Sequence, residues 1–224
     1  MVSINLPQIA INAKGEEEKF WILLDEGLDM CFEALMCRHY SLIGISTKVS
    51  PIHWVNGGIA RLTKEDKIDK LLYNGYSSLS LGLIGVYEMI RIMKEQSYFE
   101  PEGNKFALKV LKHVKEIVQK WKKETNVGFA VFQMSSNSAC KELALLDKEK
   151  YGTIKDVTDK GYYNGVYIIS EKEEEKIIQK LSVQNEFQEI LKSGISFIKI
   201  CKNEDLTSIV KYLADNIMYS KFIT

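Results

Sequence analysis

The stretch IDKLLYNGYSSLSLGLIGVYEMIR, Ile68–Arg91, decides the fold. It opens as a charged helical end, breaks at Asn74-Gly75, and crosses the small-residue run Ser77-Ser78-Leu79-Ser80-Leu81-Gly82. Helical spacing then resumes through Leu83, Val86, Tyr87 and Ile90. Serine and glycine set among large apolar residues describe a buried backbone that a neighbouring element must approach closely. A tightly packed turn between a strand and a helix satisfies that description.

Toward the C-terminus, a turn at Glu100–Gly103 leads to a helix expected over Asn104–Glu124, with Phe106, Val110, Val114, Val118 and Trp121 on its apolar face. The lysines on its other side read as a solvated face rather than a phosphate-facing stripe. Val127–Phe132 is a continuous apolar run of strand length, the pattern of a strand buried on both faces. Ser135, Ser136, Asn137 and Ser138 follow, all good N-cap residues, ahead of a helix expected over Ala139–Lys150. Unpaired backbone N–H groups and the helix dipole make such a junction a ready anion site. A plain N-cap uses the same residues, and here the two readings stand side by side. Beyond it come a loop at Thr158–Tyr163, a strand Val166–Ser170, a helix Lys172–Leu191, a strand Ile195–Cys201 and a last helix Asp205–Tyr219.

Toward the N-terminus, Lys64–Tyr73 reads as a short helix, and Ser50–Gly58 as a loop punctuated by Pro51 and paired glycines. His53 in that loop reads as solvated or hydrogen-bonded. Glu16–His39 is the clearest helix, with acidic residues in its first turn and Phe20, Leu24, Leu28, Cys31 and Leu35 along one face. Cys31 and Cys37, six apart, read as small buried hydrophobes rather than ligands. Val2–Ile11 alternates weakly and reads as a strand ended by Asn12–Gly15.

Long helices alternating with short apolar strands make the chain α/β, with a largely parallel sheet or barrel portion. The 224 residues read as one domain, 1–224, without repeat or linker, and are ample for a core. Lys+Arg and Asp+Glu both total 30, so no basic excess points to nucleic acid. No apolar run reaches the roughly 20 residues that span a bilayer. The N-terminus has no signal-peptide pattern, and Cys31, Cys37, Cys140 and Cys201 form no CxxC pair, which suggests a reducing cytoplasm.

YSSLSLGLIGVYE, Tyr76–Glu88, resembles YSTISLGYAGLYE of the anaerobic, glycyl-radical ribonucleoside-triphosphate reductases. Val2–Ile11 is similar to that family's VSINLPRIAI, Glu18–Glu26 to EEKFWELLDE, Glu33–His39 to EALMTRH and Asp215–Tyr219 to DNIMY, all in order along the chain. The resemblance implies the second half of a glycyl-radical-enzyme α/β barrel. It also implies a family chemistry in which a glycyl radical makes a thiyl radical that opens reduction of a ribonucleotide, with formate as reductant. An iron–sulfur, S-adenosylmethionine-dependent activase installs the glycyl radical. Asn5 matches the active-site asparagine of SINLP, and Met134–Ser138 aligns with TPAES, which caps a phosphate-binding helix. Asn5, Ser135, Ser136, Asn137 and Ser138 are therefore the expected substrate contacts for a ribonucleoside triphosphate.

The departures set further expectations. The family's finger-loop cysteine, zinc-binding CxxC pairs and RxxGY glycyl-radical tail have no counterpart in these residues. The chain is expected to bring no cofactor of its own and to be inert alone. The alternatives are a reductase segment supplying pocket walls, a non-catalytic module that associates with a complementary reductase chain or a second copy, and an unrelated nucleotide-phosphate-binding α/β protein using the Ser135–Ser138 helix start. The TPAES glutamate is replaced by Asn137, which adds no repulsion to a phosphate. Asn164–Ile168 and His53–Gly58 depart from the family's TNSYHV and LWQHGA.

Overall fold

Among the described residues, three strands form one parallel sheet in the order β1 (Val2–Asn5), β2 (Ser78–Ile84) and β3 (Gly128–Gln133). The computed structural model describes residues 1–57, 60–133, 137–164, 177–192 and 206–216. Ile4 lies opposite Leu83, and Leu81 opposite Val131. Because side chains alternate along a strand, Val2 and Ile4, Leu79, Leu81 and Leu83, and Phe129 and Val131 share one face. That face packs against α2 (Glu17–Tyr40) and α5 (Pro101–Thr125) to form the main core. Phe20 is fully buried there, its ring centroid 5.3 Å from Phe106 and 5.5 Å from Trp21.

The other face carries Ser3, Ser80, Gly82 and Ala130, which explains the small-residue run. Gly82 lies opposite Ser3, and a Cβ on it would fall 2.3 Å from Ser3 Oγ. At the carboxyl end of this face, Ile84 enters a second, smaller core with Cys140, Ala144, Val157 and Tyr163. β2 passes into α4 (Val86–Lys94) through Gly85, whose φ of 75° favours glycine. A Cβ at Gly85 would also meet Pro7 Cγ at 2.2 Å.

The structure departs from the sequence expectations at several boundaries. β1 stops at Asn5, and Leu6–Ala13 is a helix, α1. Asn5 Oδ1 accepts the Gln8 backbone N–H at 3.3 Å, Pro7 sits in the first turn, and Leu6, Ala10 and Ala13 are buried at helical spacing. Cap and proline outweigh the weak alternation of Ile9 and Ile11. The turn expected at Glu100–Gly103 is the start of α5, because Pro101 fits a first helical turn that needs no N–H. Only a single 3-10 turn, Ile68–Leu71, forms within Lys64–Tyr73, and the loop around His53 contains one helical turn, α3 (Pro51–Trp54). His53 Nδ1 lies 2.6 Å from Ser50 Oγ, as the hydrogen-bonded reading requires.

Cys31 is buried, and burial pushes its thiol up to about 11. Cys37 is exposed, contrary to expectation, because six residues carry it off the buried stripe of α2. α6 (Asn137–Tyr151) starts two residues earlier than expected, and α7 (Ile177–Leu191) and α8 (Leu206–Asn216) fall within the two last predicted helices. The strands expected at Val166–Ser170 and Ile195–Cys201 lie outside the described residues. Among the described residues no helix is long and apolar enough to cross a membrane.

Candidate functional site at the carboxyl ends of the strands

In parallel sheets, ligand sites form beyond the carboxyl ends of the strands. Here β1 ends at Asn5, β2 at Ile84 and β3 at Gln133, and each strand leads toward a helix. Asn5 is half-buried and anchored on two sides. Its Oδ1 caps α1, and its Nδ2 donates to Asp147 Oδ2 at 2.7 Å. Asp147 is 1% exposed and takes two further donors: Gln8 Nε2 on Oδ1 at 2.7 Å, and the Tyr163 hydroxyl on Oδ2 at 2.8 Å. A carboxylate removed from water needs such partners. Burial, reinforced by the Asp147 carboxylate, pushes the Tyr163 phenol above its usual range, so it keeps its proton and donates. A second tie between α6 and α1 runs from the Tyr151 hydroxyl to Asn12 Oδ1 at 3.0 Å.

These contacts fix the course of α6. Asp147 lies ten residues after Asn137, about 15 Å along the helix axis. The helix starts beyond the end of β3, yet Asp147 meets the end of β1, two strands away. α6 therefore crosses the mouth of the sheet and does not return along it.

Tyr163 is delivered by a segment sewn down on both sides. Its N–H donates to the Cys140 carbonyl at 3.1 Å, and the Asn164 carbonyl accepts the Gly85 N–H at 2.8 Å. The Asn164 N–H points between the two carboxylate oxygens of Glu88, 3.2 Å from each. Glu88 is fully buried in the first turn of α4, and burial raises its pKa to about 8 against the opposing effects of backbone N–H groups and Lys160. The Lys160 ammonium sits 4.4 Å from the Tyr87 ring centroid.

Of the expected site residues, Asn5 lies at this mouth. Asn137 opens α6 and Ser138 is exposed in its first turn, while Ser135 and Ser136 lie outside the described residues. Sequence reasoning missed Asp147, Gln8 and Tyr163. A signal was present: Cys140, Ala144 and Asp147 follow helical spacing, so the aspartate belongs to a buried stripe despite the charged residues after it. Among the described residues no three His, Cys, Asp or Glu side chains converge as a metal-ligand set would.

Parallel strands packed against helices, with polar groups gathered beyond the strand ends, define an α/β protein. The sequence profile described as anaerobic ribonucleoside-triphosphate reductase matches residues 1–224, and the chain belongs to that family. It is 34% identical over 229 residues to the anaerobic ribonucleoside-triphosphate reductase of Enterobacteria phage T4, covering 98% of this chain and 36% of that protein. The Escherichia coli reductase is 32% identical over 207 residues, covering 91% of this chain and 28% of its own length. The chain thus spans about a third of the curated relatives it matches. Among solved structures, the Thermotoga maritima anaerobic ribonucleotide reductase with citrate in the active site superposes with a TM-score of 0.73, at 22% identity, over 97% of this chain and 38% of that one. The same enzyme with dATP in its specificity site gives 0.74 at 19% identity. The fold is that of the α/β portion, about a third, of those chains.

Proposed function

We propose that this chain forms a substrate-holding wall of an anaerobic ribonucleotide reductase, with a ribonucleoside triphosphate lying across the mouth of the parallel sheet. The supporting observation is that Asn5, matching the asparagine of SINLP, stands at the end of β1 while α6 crosses the same mouth. In this reading the first turn of α6, with Asn137 and Ser138, receives the phosphates through backbone N–H groups and short polar side chains, and Ser135 and Ser136, which precede it in the sequence, are proposed to add hydroxyls. The Asn5 amide meets the ribose. From Ser138 to Asp147 is nine residues, about 14 Å of helix, a span suited to an extended nucleotide rather than a lone phosphate. The radical steps belong to residues elsewhere in the family's longer chains. The unit 1–224 would act within a complete barrel, formed with a complementary reductase segment.

Calorimetric titration with a ribonucleoside triphosphate tests this. The double substitution Ser136→Glu, Asn137→Glu places two carboxylates against the anion and should weaken binding by about 10-fold or more. Unchanged affinity would count against the site.

A further inference from the structure

We infer that Asp147 is a positioning residue that sets the direction of the Asn5 amide, so that position 5 offers one N–H and one oxygen lone pair to a ligand. The inference rests on the proposed nucleotide site and assigns the residue that orients it. An asparagine amide rotated by a half turn exchanges donor and acceptor. At Asn5 both ends are chosen by partners that permit one arrangement only. The Gln8 backbone N–H can only donate, so it faces Oδ1, at 3.3 Å. Asp147 as a carboxylate can only accept, so it faces Nδ2, at 2.7 Å.

An amide has two N–H bonds and two lone pairs, and the described residues use one of each. What remains is a matched donor and acceptor on a half-buried side chain beyond the end of β1, suited to a hydroxyl that both gives and takes a hydrogen bond. Asp147 is itself held by Gln8 Nε2 and the Tyr163 hydroxyl, so its carboxylate cannot turn away without breaking two other bonds.

Two measurements on the full chain test this independently. The first, without ligand, follows the Asn5 side-chain NH2 resonances, identified by their loss in Asn5→Ala. Asp147→Ala, which leaves Asn5 Nδ2 no acceptor at this position, should move both Asn5 protons and collapse their separation, while Tyr163→Phe, which leaves the Asn5–Asp147 bond in place, should shift them far less. Unmoved Asn5 resonances in Asp147→Ala would overturn the proposal. The second uses an exchange, Asn5→Asp together with Asp147→Asn. Aspartate also caps helices, so the exchange keeps the cap and restores a hydrogen bond between the two positions, with polarity reversed. It should recover the melting temperature lost in Asp147→Asn. Ribonucleoside triphosphate affinity should stay about 10-fold low, as in Asn5→Ala. Recovery of affinity together with stability would show that Asp147 only glues the helices, and would sink the positioning role. If the unsubstituted chain binds no ribonucleotide, the proposed function fails, and the amide resonances still decide whether Asp147 orients Asn5.

Discussion

The Asn5 amide nitrogen and the Asp147 carboxylate meet at 2.7 Å although 142 positions separate them along the chain. This contact joins the end of β1 to the far half of α6, and Tyr163 completes it from a third segment. Tyr163→Phe removes one of three donors to a buried carboxylate and should cost about 1–3 kcal/mol of unfolding free energy. Urea unfolding at neutral pH measures it, and a loss below about 0.3 kcal/mol, well under the usual worth of one hydrogen bond, would show that Asn5 and Gln8 satisfy Asp147 alone.

Gly85 is the second constraint on the mouth. Its φ is 75°, and a Cβ would lie 2.2 Å from Pro7 Cγ and 2.4 Å from Pro7 Cδ. Pro7 belongs to the first turn of α1, so the ring has no free rotamer to yield. Gly85→Ala should therefore destabilise by about 3 kcal/mol or more, combining backbone strain with overpacking. A Gly75→Ala control has a similar φ of 71° but nothing within 4 Å, and should show the strain alone. Equal losses at the two glycines would refute the clash with Pro7.

Glu88 gives the fold a dependence on pH. Its folded pKa of about 8 lies above the ordinary 4.5, because burial disfavours the charged form. Between these values the unfolded chain has released the proton and the folded chain still holds it. Its contribution is therefore complete below about pH 4.5 and is lost as pH rises through 8, with a slope of roughly 1 kcal/mol per pH unit. Glu88→Gln should flatten that slope, since an amide oxygen still accepts the Asn164 N–H. Stability profiles from pH 5 to 9 that run parallel in the two proteins would contradict this.

Glu17 acts in the opposite sense. Lys94 and Lys109 each place an ammonium 2.9 Å from its carboxylate and hold its pKa down to about 2. Stability from this group is present above the unfolded value of 4.5 and disappears as pH falls toward 2. The Glu17 side chain is 40% exposed, so solvent screening limits the effect to below about 1 kcal/mol. Glu17→Gln should differ from the parent at pH 7, converge with it by pH 2, and lose most of its effect in 1 M salt.

Much of this architecture is legible in the sequence, for physical reasons. Phe20, Leu24, Leu28 and Leu35 announce α2 because helical periodicity needs only local residues. The apolar run Val127–Phe132 announces a buried strand for the same reason. Asn5 was legible through the SINLP resemblance, but its role as the cap of α1 was hidden because Ile9 and Ile11 imitate strand alternation. Asp147 was the harder case. Its neighbours Lys148, Glu149 and Lys150 suggest a solvated helix end, and its partners Asn5, Gln8 and Tyr163 come from two distant segments. Only the stripe through Cys140 and Ala144 places it inward, and no local pattern names what it meets there. Gly82 shows the reverse: the glycine marks a close approach, and the sheet register identifies Ser3 as what approaches.

The parallel sheet also sets a timetable. Val2 finds its partner in Leu81, and Ser78 finds its own in Gly128, separations of 79 (81 minus 2) and 50 (128 minus 78) residues. No hairpin can nucleate such a sheet, so local contacts give little early help and ordering is slow. During synthesis Asn5 leaves the ribosome 142 residues ahead of Asp147, an interval on the order of 10 s at ordinary elongation rates. Through that interval β1 and the apolar stripe of α2 wait without their final neighbours, and the Asn5 amide meets Asp147 among the last events of folding.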